Sequence, residues 1–174
     1  LVLTNVRWVI GTPAIYNYGF NKYDVVIGTG IERGELLRAA RQIRDYFHNS
    51  ALDIEVRVVQ RGVLQTIYGS REVAHMRDVK RLIRRVYRVH ELAAGYLLFF
   101  VAVGFAIGRR GFFGSLASLV KISGSLTIGL VLVVGLGSLV GFDRLFLAFH
   151  HVSFSNDYWQ LDPSRHNLIA MFPQ

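Results

Sequence analysis

Along this chain, hydrophobic and polar positions repeat with several different periods. Residues 32–48, ERGELLRAARQIRDYFH, bring Leu36, Leu37, Ala40, Ile43 and Phe47 to one face at helical spacing with charges between them, which predicts an amphipathic helix. Thr29-Gly30 precede it, and Glu32 and Glu35 sit where the positive end of the helix dipole favours carboxylates. Ile54-Glu-Val-Arg-Val-Val59 alternates apolar with polar residues and reads as a short strand, paired with Val63–Tyr68 across Gln60-Arg-Gly. From Ser70, taken as the N-cap, a long helix runs to His90 with Val73, Met76, Val79/Lys80, Ile83, Val86 and Val89/His90 on one side. Between the first residues and Thr29, Pro13 to Tyr23 is rich in aromatic residues without a clear period and reads as an irregular segment.

After His90 the period gives way to continuous apolar sequence. Leu92 to Gly108 is a run of seventeen residues without a charge, and Ile122 to Phe142 is a second run of twenty-one. As helices they extend roughly 26 and 32 Å, enough to cross the hydrocarbon core of a bilayer. Between them, Arg109-Arg110-Gly111 and a shorter apolar stretch ending at Lys121 predict a connector at the interface. Gly137 and Gly141 form a GxxxG pair, a weak sign of close helix contact. Leu1–Ile10 reads like the last turns of a helix leaving lipid, with Trp8 at interfacial height, and the chain stops at Met171-Phe-Pro-Gln. Both ends predict that a first and a last span lie outside these 174 residues; the bland alternative is a mature chain with short tails.

Composition sharpens this picture. Hydrophobic residues are 52% and charged residues only 18%, with a mean hydropathy of +0.33, a balance that suits a membrane protein. The formal charge is +8, and residues 1–90 carry fifteen of the twenty Lys/Arg and eight of the twelve Asp/Glu. A basic half beside an apolar half points to lipid headgroups, and no nucleic-acid motif is present. Flanking charge gives no single orientation: Arg109-Arg110 argue for a cytoplasmic connector, while Lys80, Arg81, Arg84, Arg85 and Arg88 argue the opposite. There is no cysteine, which excludes disulfides, thiolate metal sites and cysteine nucleophiles. P-loop, dinucleotide, GxSxG and HExxH motifs are also missing, so nucleotide hydrolysis and hydride transfer are excluded.

Two constellations remain that can carry chemistry. In Arg71-Glu-Val-Ala-His-Met-Arg-Asp78, successive i,i+3 steps place the carboxylates of Glu72 and Asp78 on either side of His75. A carboxylate beside an imidazole can fix its tautomer and raise its basicity, as a general base requires. The bland reading is a solvated face in which the carboxylates pair with arginines. The second constellation is Phe149-His-His-Val-Ser-Phe-Ser-Asn-Asp-Tyr-Trp159, with a base, hydroxyls, an amide and an interfacial ring at a membrane boundary. Its bland reading is an interface loop anchored by Trp159. Glu72 and His75 together with His150 and His151 are also a candidate metal site, which would make the chain a metal-dependent membrane hydrolase, although neither segment has a specific metal spacing.

Taken in order, Asn5-Val-Arg, Tyr16-Asn-Tyr-Gly-Phe, Thr29-Gly-Ile-Glu with Glu35-Leu-Leu-Arg-Ala-Ala, Arg71-Glu-Val-Ala-His-Met-Arg-Asp-Val, two spans, Phe149-His and Asn156-Asp-Tyr-Trp-Gln-Leu-Asp-Pro resemble one bacterial integral-membrane family. It is the family of lipoprotein intramolecular transacylases. The similarity covers nearly the whole chain and is most specific in the E-V-x-H-M-x-D-V helix and the F-H…N-D-x-W-x-x-D-P loop.

The resemblance implies a mainly α, multi-pass helical bundle in the bacterial plasma membrane, with a small α+β extracytoplasmic layer. Residues 1–12 would end a first membrane helix, 13–90 form an extracytoplasmic domain, 91–109 and 122–142 span the membrane, 110–121 connect them, and 143–174 lead to a last helix. It implies movement of an acyl chain from the glycerol of a diacylglyceryl lipoprotein to the cysteine α-amino group. Membrane lipids and a bacterial lipoprotein would be its partners, and neither cofactor nor metal is called for. His75 and His150 match the family's two histidine positions and are the expected acid/base pair, with Glu72 orienting His75 and Asn156 or nearby backbone amides holding the oxyanion. A covalent acyl-His or acyl-Ser153 intermediate is a further option. The alternative from another class is a non-catalytic subunit of a larger membrane complex, in which the two histidine segments need not meet.

Overall fold

The computed structural model describes residues 2–108 and 111–173. In chain order the elements are α1 (Val2–Gly11), α2 (Pro13–Lys22), α3 (Val25–Thr29), α4 (Arg33–His48), β1 (Arg57–Gln60), β2 (Val63–Thr66), α5 (Ser70–Ile107), α6 (Gly111–Ser153) and α7 (Asn167–Met171). They divide into two compact units: one of Leu3–Arg85 together with the chain from Phe154, and one of Val86–Ser153.

The first unit has its core between α4, the hairpin and the start of α5. α4 buries Leu36, Ala39, Ala40, Ile43, Tyr46 and Phe47, the face expected from its periodicity, with Leu37 packed at the margin. The same core cluster includes Val56, Val58, Ile67, Met76, Leu168 and Met171. The hairpin is antiparallel, pairing Arg57 with Thr66 and Gln60 with Val63. Its two-residue turn holds Arg61 and Gly62 at φ 53° and 78°, the left-handed pair that matches strand twist.

A two-stranded sheet leaves the outer edge of β1 without a strand, and α4 supplies side chains in its place. Glu35 Oε2 accepts the Val59 N–H at 2.8 Å, while Gln42 accepts the Arg57 N–H at 3.0 Å and donates to the Arg57 carbonyl at 2.8 Å. The edge is thereby satisfied and closed to further pairing.

The segment expected to be irregular, Pro13 to Tyr23, is instead helix α2. Proline occupies its first turn, where the missing N–H is no loss, and Thr12 enters extended at φ −99°, ψ 108°. The expected Ser70 cap is also shifted: Ser70 is the first helical residue, and the Gly69 carbonyl accepts the Val73 N–H at 3.0 Å. α3 and α7, each of five residues, carry no periodic signal in the sequence.

The second unit contains the two apolar runs. α5 and α6 are both long and apolar enough to cross a membrane. Each run belongs to a longer helix: α5 begins at Ser70 and α6 reaches Ser153. Residues 111–121, expected as connector, already form the start of α6. Arg109 and Arg110, on which the orientation argument rested, lie outside the described residues.

Where α5 ends and α6 begins, the Phe112 ring packs against Phe100 and Phe105 at 5.8 and 5.3 Å between centroids. It fills the space in which a Cβ on Gly104 would lie, 2.0 Å from the ring, so a larger residue there forces the ring to shift. Among the described residues, no group from another helix lies within 4 Å of a Cβ on Gly137 or Gly141. Gly141 leaves helical geometry at φ −163°, ψ 62°, and the nearest groups to a Cβ on either glycine, Leu145 and Arg144, belong to α6 itself.

Candidate functional site

The first two turns of α5 hold the first constellation. Glu72 is 2% exposed, and both of its carboxylate oxygens accept backbone N–H groups. Oε2 accepts from Gly69 at 2.7 Å, reaching back over the start of its own helix as the third residue of a capping box does. Oε1 accepts from Leu168 at 2.7 Å, in the first turn of α7. One carboxylate thus joins the N-termini of two helices, where orphan N–H groups and the helix dipoles favour a negative charge.

Two further bonds tie α7 to the same place. Asn167 donates its side-chain amide to the Ile67 carbonyl at 2.8 Å, and the buried Tyr68 hydroxyl lies 3.5 Å from Met171 Sδ. Burial pushes the Tyr68 hydroxyl pKa well above its usual value, and the nearby Glu72 carboxylate adds to this.

The adjoining face of α5 presents Arg71, His75 and Asp78 at i, i+4 and i+7, and it holds the loop after residue 153. The buried His75 ring meets Phe154 edge to face at 5.3 Å. Asn156 donates its amide to Asp78 Oδ2 at 2.8 Å, and Asp78 Oδ1 receives Arg81 at 2.8 Å. Arg71 donates to the Asp157 carbonyl. Asn156 Oδ1 accepts the Tyr158 N–H at 3.1 Å, an Asx turn that leads to the buried Trp159.

His150 belongs to the second unit, in the last turn of α6, so it sits on a helix and not in a loop. It is 8% exposed. Its ring packs on Phe146 at 3.9 Å and meets Phe149 edge to face at 5.2 Å. Nδ1 lies 2.7 Å from the Phe146 carbonyl oxygen. A carbonyl only accepts, so Nδ1 carries the hydrogen, and the lone pair of the neutral ring resides on Nε2. His151 is exposed.

A family model described as lipoprotein intramolecular transacylase Lit matches residues 1–174. The chain belongs to the Lit family. Among solved structures it is similar to the membrane integral lipoprotein intramolecular transacylase Lit from Bacillus cereus, with a TM-score of 0.75 and 19% identity over 95% of this chain and 71% of that one. Histidine-to-alanine and histidine-to-arginine variants of the same Bacillus protein match at a TM-score of 0.67 and 19% identity, over 95% of this chain and 69% and 68% of theirs. No curated protein matches the chain in sequence. At this identity the structural likeness speaks for the Lit fold, and the family model carries the membership.

Within this Lit-family fold, the first unit brings Glu72, His75 and Asn156 to the start of α5, and His150 stands in the second unit. Among the described residues no group of three or more His, Asp or Glu side chains is arranged to hold a metal ion. Sequence reasoning placed Glu72 beside His75 but missed that its two oxygens serve backbone groups. The signal was available, because a glutamate in the first turn of a helix is the usual acidic partner of a capping box. The Asp78–Asn156 bond had no comparable signal, since its partners are 78 residues apart.

Two outcomes follow from this geometry. Asn156→Asp sets a carboxylate against Asp78 and lowers stability by about 1–3 kcal/mol, whereas the exchange Asp78→Asn with Asn156→Asp recovers most of it; thermal unfolding of the four proteins measures this. Tyr68 has a folded pKa above its unfolded value, so its contribution to stability is full below pH 10 and is lost as pH rises further. Tyr68→Phe therefore unfolds with a shallower alkaline loss between pH 9 and 11 than the parent, read from melting temperatures across that range.

Proposed function

We propose that this chain is a Lit-type transacylase, a multi-pass protein of the bacterial plasma membrane that moves an acyl chain within a diacylglyceryl lipoprotein from glycerol to the α-amino group of the lipid-bearing cysteine. The observation that carries this reading is the match of the Lit family model across residues 1–174. The two helices long and apolar enough to span a bilayer support the membrane setting. Residues 13–90 and the chain after the second span would form the extracytoplasmic layer.

The reaction must deprotonate the cysteine ammonium, stabilise an oxyanion as the amine attacks the ester carbonyl, and protonate the departing glycerol oxygen. The carbon–nitrogen bond forms as the carbon–oxygen bond breaks, and the amine proton ends on glycerol, so no outside reagent is consumed. His150 suits the base, because the Phe146 carbonyl engages its Nδ1–H and so fixes its tautomer. His75, on α5, takes the complementary proton-transfer role. Glu72 acts as a positioning residue: by fixing the first turn of α5 it sets where the next turn carries His75. Asn156 gives one amide hydrogen to Asp78 and retains a second for the oxyanion.

The test uses a defined diacylglyceryl lipopeptide incubated with the full-length protein in detergent or bilayer. Transfer within one molecule leaves the mass unchanged, so fragmentation must locate the acyl chain. The expected product is the N-acylated lyso form, with rates at least ~100-fold lower in His75→Ala and His150→Ala, the usual weight of a proton-transfer group. An unchanged lipopeptide, from protein shown to be folded, would contradict the proposal and favour a non-catalytic membrane role.

A further inference from the structure

Five arginines ahead of the apolar part of α5 form a single stripe. At ~100° per residue, Arg77, Arg81, Arg84, Arg85 and Arg88 of α5 fall within an arc of about 100° on one side of the helix. Arg81, Arg84, Arg85 and Arg88 are all exposed. Three of the five already have protein partners. Arg77 donates to Asp53, Arg81 to Asp78 at 2.8 Å and Arg84 to the Asn49 carbonyl at 2.6 Å. These bonds pin loop 49–53 to α5, as does Lys80, which donates to Asn49 and Ala51 from beneath. Among the described residues, Arg85 and Arg88 make no such bond. The carboxylates on this side are Asp53 and Asp78, both engaged by those arginines, and Glu91 at the end of the stripe.

The apolar part of the same helix begins at Leu92. Counting ~1.5 Å per residue, Arg88 lies about 6 Å and Arg85 about 10 Å along the axis before it. The polar zone of a bilayer extends roughly 5–8 Å beyond the hydrocarbon on each side. Arg88 therefore lies within this zone, and Arg85 lies a few ångströms outside it, a gap that its long flexible side chain can span. Guanidinium matches phosphate oxygens in bidentate geometry, which an ammonium does not.

We infer that Arg85 and Arg88, flanked by Arg81 and Arg84, form a binding collar for the phosphate groups of anionic phospholipids where α5 enters the bilayer. This goes beyond the transacylase reading and does not depend on it, because the collar takes structural lipid and not the acyl donor. It gives the excess of cations next to a span a role in lipid recognition apart from orientation. Neither arginine has a bond to lose within the fold, so replacing them leaves folding intact.

The experiment is native mass spectrometry of the full-length protein in detergent, with phosphatidylglycerol and phosphatidylcholine of identical acyl chains added in equal amount. The expected result is preferential retention of phosphatidylglycerol, lost by ~fivefold with each of Arg85→Gln and Arg88→Gln and by ~25-fold with both. Arg61→Gln, at the exposed hairpin turn, keeps the preference and removes the same net charge. Equal retention of the two lipids by the parent would overturn the collar, and so would an equal loss in Arg61→Gln. Displacement of the retained lipid by millimolar inorganic phosphate would overturn it as well, by indicating a simple anion site. Activity on the lipopeptide is measured in parallel in the double variant and stays measurable, so failure of the collar and failure of the transacylase reading are separate outcomes.

Discussion

A carboxylate taken out of water must recover the hydrogen bonds it gives up, and Glu72 does so by accepting one backbone N–H from its own helix and one from a helix 96 residues later in the chain. Each N-terminus needs an acceptor for its orphan donors, and the charge needs donors to be tolerable in the core. These needs are met by a single side chain, which makes the start of α5 and the start of α7 interdependent. The surrounding contacts follow from that junction. Tyr68 and Asn167 approach because Leu168 is held, and the face of α5 carrying Arg71, His75 and Asp78 is turned to the loop that bears Phe154 and Asn156.

The candidate chemistry is laid over this frame. His75 lies one turn beyond Glu72, so its position depends on the capped first turn and on Phe154. His150 is set differently, by a bond to the carbonyl one turn earlier and by two phenyl rings. Both imidazoles are largely withdrawn from water, at 9% and 8% exposure. In the proposed reaction these two imidazoles carry the protons, and their withdrawal from water would limit hydrolysis of the ester during transfer.

Much of the fold was legible from periodicity. α4, the hairpin and α5 carry strong patterns, and two apolar runs declare membrane-capable helices. What escaped were short or context-dependent elements. α2 lacks an apolar stripe because its aromatic residues are distributed around it, with Phe20 the only one fully buried. α7 has five residues and owes its first turn to Glu72, a partner far away in sequence. Within the GxxxG pair, Gly141 sits where α6 leaves helical geometry, a use of glycine that the spacing alone does not distinguish from a helix contact. At the site, the residue types were readable but their partners were not. Glu72 was expected beside an imidazole, and its two oxygens accept two backbone N–H groups that the sequence did not reveal.

The central claim is that one carboxylate couples two helix starts, and amide hydrogen exchange in the intact protein tests it most directly. In Glu72→Ala, the account predicts that Leu168 and Gly69 lose protection together, by roughly tenfold or more, while Val59 at the edge of β1, served by Glu35, keeps its own. Unchanged protection at Leu168, or a loss at Gly69 alone, would contradict it.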